Sequence, residues 1–280
     1  VALSLFPDLV RLRKEPNHPF AGYKDAGWQT LGNELTSLLT TQEYDSARAT
    51  TPNAFYTSPT VIQAIHQAIA RLGVPDNATV LEPGCGRGNF LGLADPSMRF
   101  IGVEMDRISG RTARALYPQH DIRIEDFRDT RLPENRIDAV IGNVPFANVA
   151  IPYRGVKRSL HDFFFAKSID VLKPGGVLAL VTTHYTLDKQ NASIREYLAD
   201  QADFIGAIRL PSDAFKREGT SVVTDIVFLK KRAPLQPAQH VDVDWLKTLP
   251  LDIEGTQVPI NHYFHTHPEM VLGTWSLEDR

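Results

Sequence analysis

The stretch that decides the fold is ATVLEPGCGRGNFLGLADPSMRFIGVE, residues 78–104. Its opening reads as a strand over 78–82, closed by Val80 and Leu81. Gly84, Gly86 and Gly88 follow at alternate positions, and Asn89, Phe90 and Leu91 open a helix. Glycines so spaced allow tight turning and let a ligand approach the backbone at the carboxyl edge of a sheet. The spacing is GxGxG, not the GxGxxG of dinucleotide binding. A cofactor without a pyrophosphate has no need of the longer phosphate cradle. About twenty residues further on, RFIGVE gives a second strand ending in Glu104, whose carboxylate can accept both hydroxyls of a ribose.

Outward from this unit the alternation continues. Runs at 121–125, 137–142, 175–182, 203–209 and 222–229 read as strands, and helical periodicity covers 61–72, 107–117, 161–172 and 191–201. This predicts an α/β protein with a seven-stranded, mainly parallel sheet covered by helices on both faces. The last run follows its predecessor without a convincing helix between them, which predicts a terminal antiparallel strand. After the third strand come Asp126 and Phe127, a carboxylate to accept from an adenine amino group and a ring to pack on the base. The candidate cofactor set is thus Glu82, Gly84, Cys85, Gly86, Asn89, Phe90, Glu104 with Met105, Asp126 and Phe127. Cys85 is badly placed for a nucleophile and reads as a small residue filling the turn.

The fourth strand ends in IGNVPF, residues 141–146. An exocyclic amine is a poor nucleophile because its lone pair is delocalised into the ring. The Asn143 side-chain oxygen and a backbone carbonyl at Val144 or Pro145 can each accept one amino hydrogen, drawing the nitrogen toward tetrahedral geometry. Phe146 can stack on the ring. Catalysis would come from orientation and selective stabilisation of the transition state. Glycine loop and NVPF together point to methyl transfer from S-adenosyl-L-methionine (SAM) to an exocyclic nitrogen. That chemistry needs no metal, and although His262, His265 and His267 form HxxHxH, no cysteine supports a zinc site.

Composition is that of a soluble globular protein: 280 residues, 42% hydrophobic and 22% charged. No apolar run approaches the ~20 residues that span a bilayer, and the N-terminus has no signal-peptide pattern. The chain starts at Val1, which reads as a fragment or a processed form. One cysteine excludes an internal disulfide framework and fits a reducing cytoplasm. The net charge of −3 does not describe a nucleic-acid coat, but duplex binding needs only a local basic surface. Arg154, Lys157 and Arg158, in the acid-free stretch 151–161, supply a candidate surface for nucleic-acid phosphates. Phe163, Phe164 and Phe165 read, with Ile169 and Leu172, as a buried helix face.

Together these motifs resemble the N6-adenine DNA methyltransferases, whose signature is [D/N/S]PP[Y/F]. The chain is most similar to the methyltransferase domains of large phage- and plasmid-borne helicase–methyltransferase fusion proteins. The resemblance covers about residues 40–275. It rests on EPGCGRGNF, GVEMDRISGR, IGNVPF, HDFFFAKSIDVLKPGG, GAIRLPSDAF, TDIVFLKKR and HPEMVLG. It implies a Rossmann-like SAM-dependent methyltransferase fold. The cofactor roles of Glu82, Gly84, Gly86, Glu104 and Asp126 carry over, with Asn143, Pro145 and Phe146 as the catalytic motif. In the block ARATTPNAFYTSPTVIQ it implies contacts from Thr57 and Pro59 to the cofactor's methionine end. Phe215 matches an aromatic that stacks on a base flipped from the duplex, flipping being required to reach the amino group. Val144 departs from the commoner proline; only its carbonyl would be used, so activity is not excluded.

The implied partner is DNA, in a bacterial, plasmid or phage modification or defence system. Relatives of this class usually carry a sizeable target-recognition domain, and about fifty residues follow Arg232 here. Recognition is then relaxed, or supplied by another part of a longer polypeptide or by a partner subunit. The expected organisation is an N-terminal helical extension (1–54), a catalytic domain (55–232) and a C-terminal tail (233–280). Rival readings are an RNA adenine-N6 or protein-glutamine methyltransferase, which share the chemistry, and a non-catalytic SAM- or DNA-binding subunit.

Overall fold

A computed structural model describes residues 30, 33, 34, 36–50, 56–147, 149–212, 214, 215, 222–238 and 243–277. Most of the expected N-terminal extension lies outside them. Helix α1 is Thr41–Thr50, and α2, Pro59–Arg71, buries Ile62, Ile65 and Ile69 along one stripe. The sheet strands are β1 (Thr79–Pro83), β2 (Arg99–Glu104), β3 (Asp121–Ile124) and β4 (Ile137–Asn143). Helices α3 (Asn89–Gly92) and α4 (Arg107–Leu116) lie among them. A hairpin, β5 (Ala150–Tyr153) and β6 (Val156–Ser159), leads into α5 (Leu160–Val171) and β7 (Leu172–Thr183). Then come α6 (Tyr185–Asp188), α7 (Ser193–Ala199), β8 (Ala202–Leu210) and β9 (Thr224–Lys231). Beyond these lie β10 (Thr248–Ile253), β11 (Thr256–Asn261) and α8 (His262–Thr266).

The seven-stranded sheet has the order β3-β2-β1-β4-β7-β9-β8. All pairings are parallel except those of β9, which runs antiparallel to both β7 and β8. The antiparallel strand expected at the end of the series is therefore last in sequence but sits inside the sheet. Order reverses between β1 and β4, so the loops that leave these two strands diverge and open a crevice at their carboxyl ends.

Both sheet faces are buried, and the pleat sorts side chains between them with period two. Leu81, Val140, Leu178 and Leu180 face one apolar cluster with α5; Val80, Ala139, Ile141, Ala179 and Val181 face the other with α2. Each fully buried aliphatic side chain contributes roughly 1.5–3 kcal/mol. Close packing tolerates no added volume where strands β1 and β2 meet the glycine loop. A Cβ on Gly102 would lie 2.9 Å from Cys85 Sγ and from Ile122 Cδ1. Gly102→Ala is expected to destabilise the fold by about 1–3 kcal/mol. Urea denaturation checks this, with a lowered midpoint at unchanged slope.

Within the stretch expected to be a tail, Trp245, Ile260, Tyr263 and Phe264 are buried against the core. Trp245 stacks on Phe204 at 4.7 Å with an interplanar angle of 8°, and Tyr263 meets the same ring edge-on at 5.0 Å. Asn261 donates to Leu187 O and Trp245 O at 2.9 and 2.8 Å, and its backbone N–H donates to Asp188. The buried Arg209 bridges Asp225, which it grips through two nitrogens, and Asp188. Among the described residues, no helix is long and apolar enough to cross a membrane.

Candidate active site

The loop after β1 is held by its neighbour strand: Gly84 N and Cys85 N both donate to Val103 O, at 2.8 and 2.9 Å. Gly84, Gly86 and Gly88 have φ of +80°, +55° and +87°, a region that favours glycine. The Glu104 carboxylate, at the end of β2, accepts from Gly86 N at 2.8 Å and from Asp106 N at 2.7 Å. It therefore shapes the loop as well as facing the cavity, and its oxygens retain further lone pairs. Cys85 is buried, and burial with the Glu82 and Glu104 charges pushes its thiol well up. It fills the turn as expected and is disfavoured as a thiolate.

One cavity of about 350 Å³ opens at the switch between β1 and β4. Thr57, Glu82, Gly84, Cys85, Gly86, Asn89, Phe90, Glu104, Met105, Asp126 and Phe127 all line it, and so do Asn143, Val144 and Pro145. Its two halves are in contact range: a Cβ on Gly84 would lie 3.9 Å from Asn143 O and from Pro145 Cδ. At one end Glu82 is 3% exposed, with its Oε2 lacking a hydrogen-bond partner among the described residues, as does the Thr57 Oγ1. Burial, reinforced by the Glu104 charge, pushes the Glu82 carboxyl well above the usual carboxylate range. A cation placed there would satisfy it. At the other end Phe127 packs on Phe163 and Phe164, with centroids 5.7 and 5.0 Å apart.

Asp126 accepts from Arg128 N at 2.8 Å and from the Arg128 guanidinium at 2.6 and 2.9 Å. Burial raises its pKa, but those hydrogen bonds and the Arg128 charge outweigh it and leave the carboxyl below its ordinary value. Pro59 does not line the cavity. It is exposed at the first position of α2, behind the Ser58 cap, where a proline's fixed φ suits a helix start.

Val144 is buried, and its N–H donates to Val181 O at 3.0 Å. A proline has no such donor, so the departure from the signature is matched by an extra ladder bond. The Phe146 ring lies outside the lining, between His161 at 5.8 Å and Phe215 at 6.5 Å. The structure thus brings Phe146 and Phe215 together, although Phe215 is only 1% exposed. Its neighbour Asp213 in LPSDAF lies outside the described residues.

The basic trio does not form one surface. Arg158 is buried with its guanidinium 4.3 Å from the Tyr197 ring centroid. Arg154 is taken up by Asp170 and Glu134, each at 2.7 Å. Lys157 alone of the three is exposed without an ion pair among the described residues. The charges were legible, but the hairpin that buries one of them was not. In the histidine triplet, His262 lies 3.3 Å from Asp244 and His267 stacks on Tyr263 at 4.4 Å.

Sequence reading missed Tyr56, Phe163 and Phe164 as lining residues. Tyr56 carries the Arg87 guanidinium 4.5 Å from its ring centroid. Its adjacency to Thr57 was the available signal. For the phenylalanines, helical period correctly marked a buried face, and that face turns out to wall the cavity.

Burial is the main cause that pushes the Glu104 carboxyl up to about 7, with the Asp106 charge adding to it and backbone N–H groups opposing. Ribose hydroxyls donating to this group would favour its ionised form, so binding would release a proton. Nucleoside affinity is expected to be level above about pH 8 and to fall by up to about tenfold per pH unit well below 7. Isothermal titration calorimetry in buffers of different ionisation enthalpy checks both the affinity and the proton release.

A family model described as N-6 DNA Methylase matches residues 38–243. Defense against restriction protein B of Escherichia phage P1 is 26% identical over 96% of the chain, which spans 12% of that protein. Among solved structures, the type I restriction enzyme EcoKI M protein superposes with a TM-score of 0.55 at 20% identity, covering 85% of this chain and 56% of its own. A type I restriction-modification system methyltransferase subunit from Streptococcus thermophilus gives 0.53 at 20% identity, covering 83% and 62%. The fold is the Rossmann-like fold of SAM-dependent methyltransferases, and SAM is the cofactor that this family and fold imply. The lining fits it: Glu82 can accept from a cation, Glu104 can accept from a diol, and the Phe127 ring can pack on a base. The chain belongs to the N-6 DNA methylase family.

Proposed function

We propose that the chain transfers a methyl group from SAM to the exocyclic N6 of adenine in DNA, by direct displacement on a base flipped from the duplex. One observation carries this reading. The glycine loop, Glu82, Glu104 and Phe127 wall the same cavity as Asn143, Val144 and Pro145. When bound, SAM supplies an electrophilic methyl carbon on a sulfonium. The protein's own work is orientation. Glu82 receives the ammonium of the methionine end, Glu104 the ribose hydroxyls, and Asp126 the adenine amino group. The Asn143 Oδ1 and a main-chain carbonyl of Val144 or Pro145 accept the two amino hydrogens of the target, so that the nitrogen lone pair is freed from the ring. The bond from Val144 N to Val181 O fixes the backbone that presents this carbonyl.

Phe146 stacks on the flipped base, with Phe215 behind it, and Lys157 contacts phosphate. The chain spans 12% of the phage P1 relative and 56–62% of the two restriction-system proteins. Target recognition is accordingly assigned to further domains or a partner subunit. Incubation with tritiated SAM and separate DNA, ribosomal RNA and protein acceptors tests the reading. Label is expected in DNA; label confined to RNA or protein would refute it.

A further inference from the structure

The turn that carries Asp126 and Phe127 is closed from two sides. Asp126 O accepts from Asp129 N, Thr130 N and Thr130 Oγ1 at 3.0–3.1 Å. Three other carbonyls of the turn point at one cation. Lys167 Nζ donates to Phe127 O, to Arg128 O at 3.2 Å and to Thr130 O at 2.8 Å. An ammonium has three donors, and here three carbonyls take them. Such a match is unusual for what it omits. Lys167 is 7% exposed, and no carboxylate forms a salt bridge with it among the described residues. A buried cation is costly unless its donors are met. The three carbonyls meet them, and the Phe127 ring adds a cation–π contact at 4.7 Å.

Lys167 shares a face of α5 with Phe163 and Phe164, four and three residues earlier. Those two rings wall the base end of the cavity, and Phe127 packs against both. One helix face therefore builds one wall and ties down the turn that forms another. Removing the ammonium would leave three converging carbonyls, those of the buried Phe127 and Thr130 among them, without this donor, and the turn would have to open to hydrate them.

We infer that Lys167 is a positioning residue that sets the nucleobase end of the cofactor site, and through Asp126 governs the choice of a 6-aminopurine over a 6-oxopurine. This rests on the SAM reading above. A residue that merely glued the core would change stability but not the ratio of affinities for the two bases. The test is calorimetric binding of S-adenosylhomocysteine and S-inosylhomocysteine to wild type, Lys167→Met and Lys167→Arg. Wild type should prefer the adenine compound by about tenfold or more, the worth of one well-placed hydrogen bond. In Lys167→Met the preference should fall to within about twofold, with adenine-compound affinity reduced about tenfold. Should that variant not fold, Lys167→Arg keeps the cation but cannot match one ammonium to three carbonyls, and should show a smaller loss of preference. Wild-type preference retained in the folded variants overturns the role of Lys167 alone. Wild type binding neither compound overturns the cofactor reading itself.

Discussion

Asn143→Ala is expected to cut the rate of methyl transfer about 10²–10³-fold, the typical cost of losing one preorganised hydrogen-bonding group at a reacting centre. Cofactor affinity should change much less. Asn143 lines the cavity from the target side, within reach of Gly84, but the groups assigned to the cofactor's charged and hydroxyl ends lie elsewhere. Single-turnover kinetics with labelled SAM separates chemistry from binding. Methylation at the wild-type rate with binding intact would remove Asn143 from the mechanism.

Glu82→Gln should act at the opposite step. The carboxyl is buried, its Oε2 lacks a partner, and Glu104 raises the cost of ionising it. An ammonium bound there would pair with a desolvated charge, an interaction whose loss costs about 2–5 kcal/mol, or roughly 30-fold to several thousand-fold in affinity. Glutamine keeps the shape and removes the charge, so the ligand-free fold should be no less stable. Calorimetric titration with S-adenosylhomocysteine, paired with thermal melts, reads both effects. Unchanged affinity in a folded variant would show that Glu82 faces no cation.

Much of the scaffold was legible because its signals are local. Each of the seven strand runs is apolar or β-branched and bounded by turn residues, and each strand is found within a few residues of its expected place. The GxGxG loop and Glu104 were readable for the same reason: the glycines set φ at single positions, and the acid ends a strand. What could not be read depends on distant partners. Nothing local to TDIVFLKK announces that it enters between β7 and β8. Arg158, on strand β6, looked like a phosphate contact, but Tyr197 from the distant helix α7 covers it. Trp245, Asn261 and Tyr263 looked like tail residues because their partners Phe204, Leu187 and Asp188 are far away in sequence. The same blindness hid Lys167, whose three acceptors lie 37–40 residues before it.

Nucleoside mass spectrometry tests the central claim most directly. DNA is incubated with the chain and methyl-deuterated SAM, then digested to nucleosides. The account predicts N6-methyl-2′-deoxyadenosine carrying three deuterons, formed by wild type and lost in Asn143→Ala. Deuterated methyl on cytosine, or adenine labelled equally by both proteins, would contradict it.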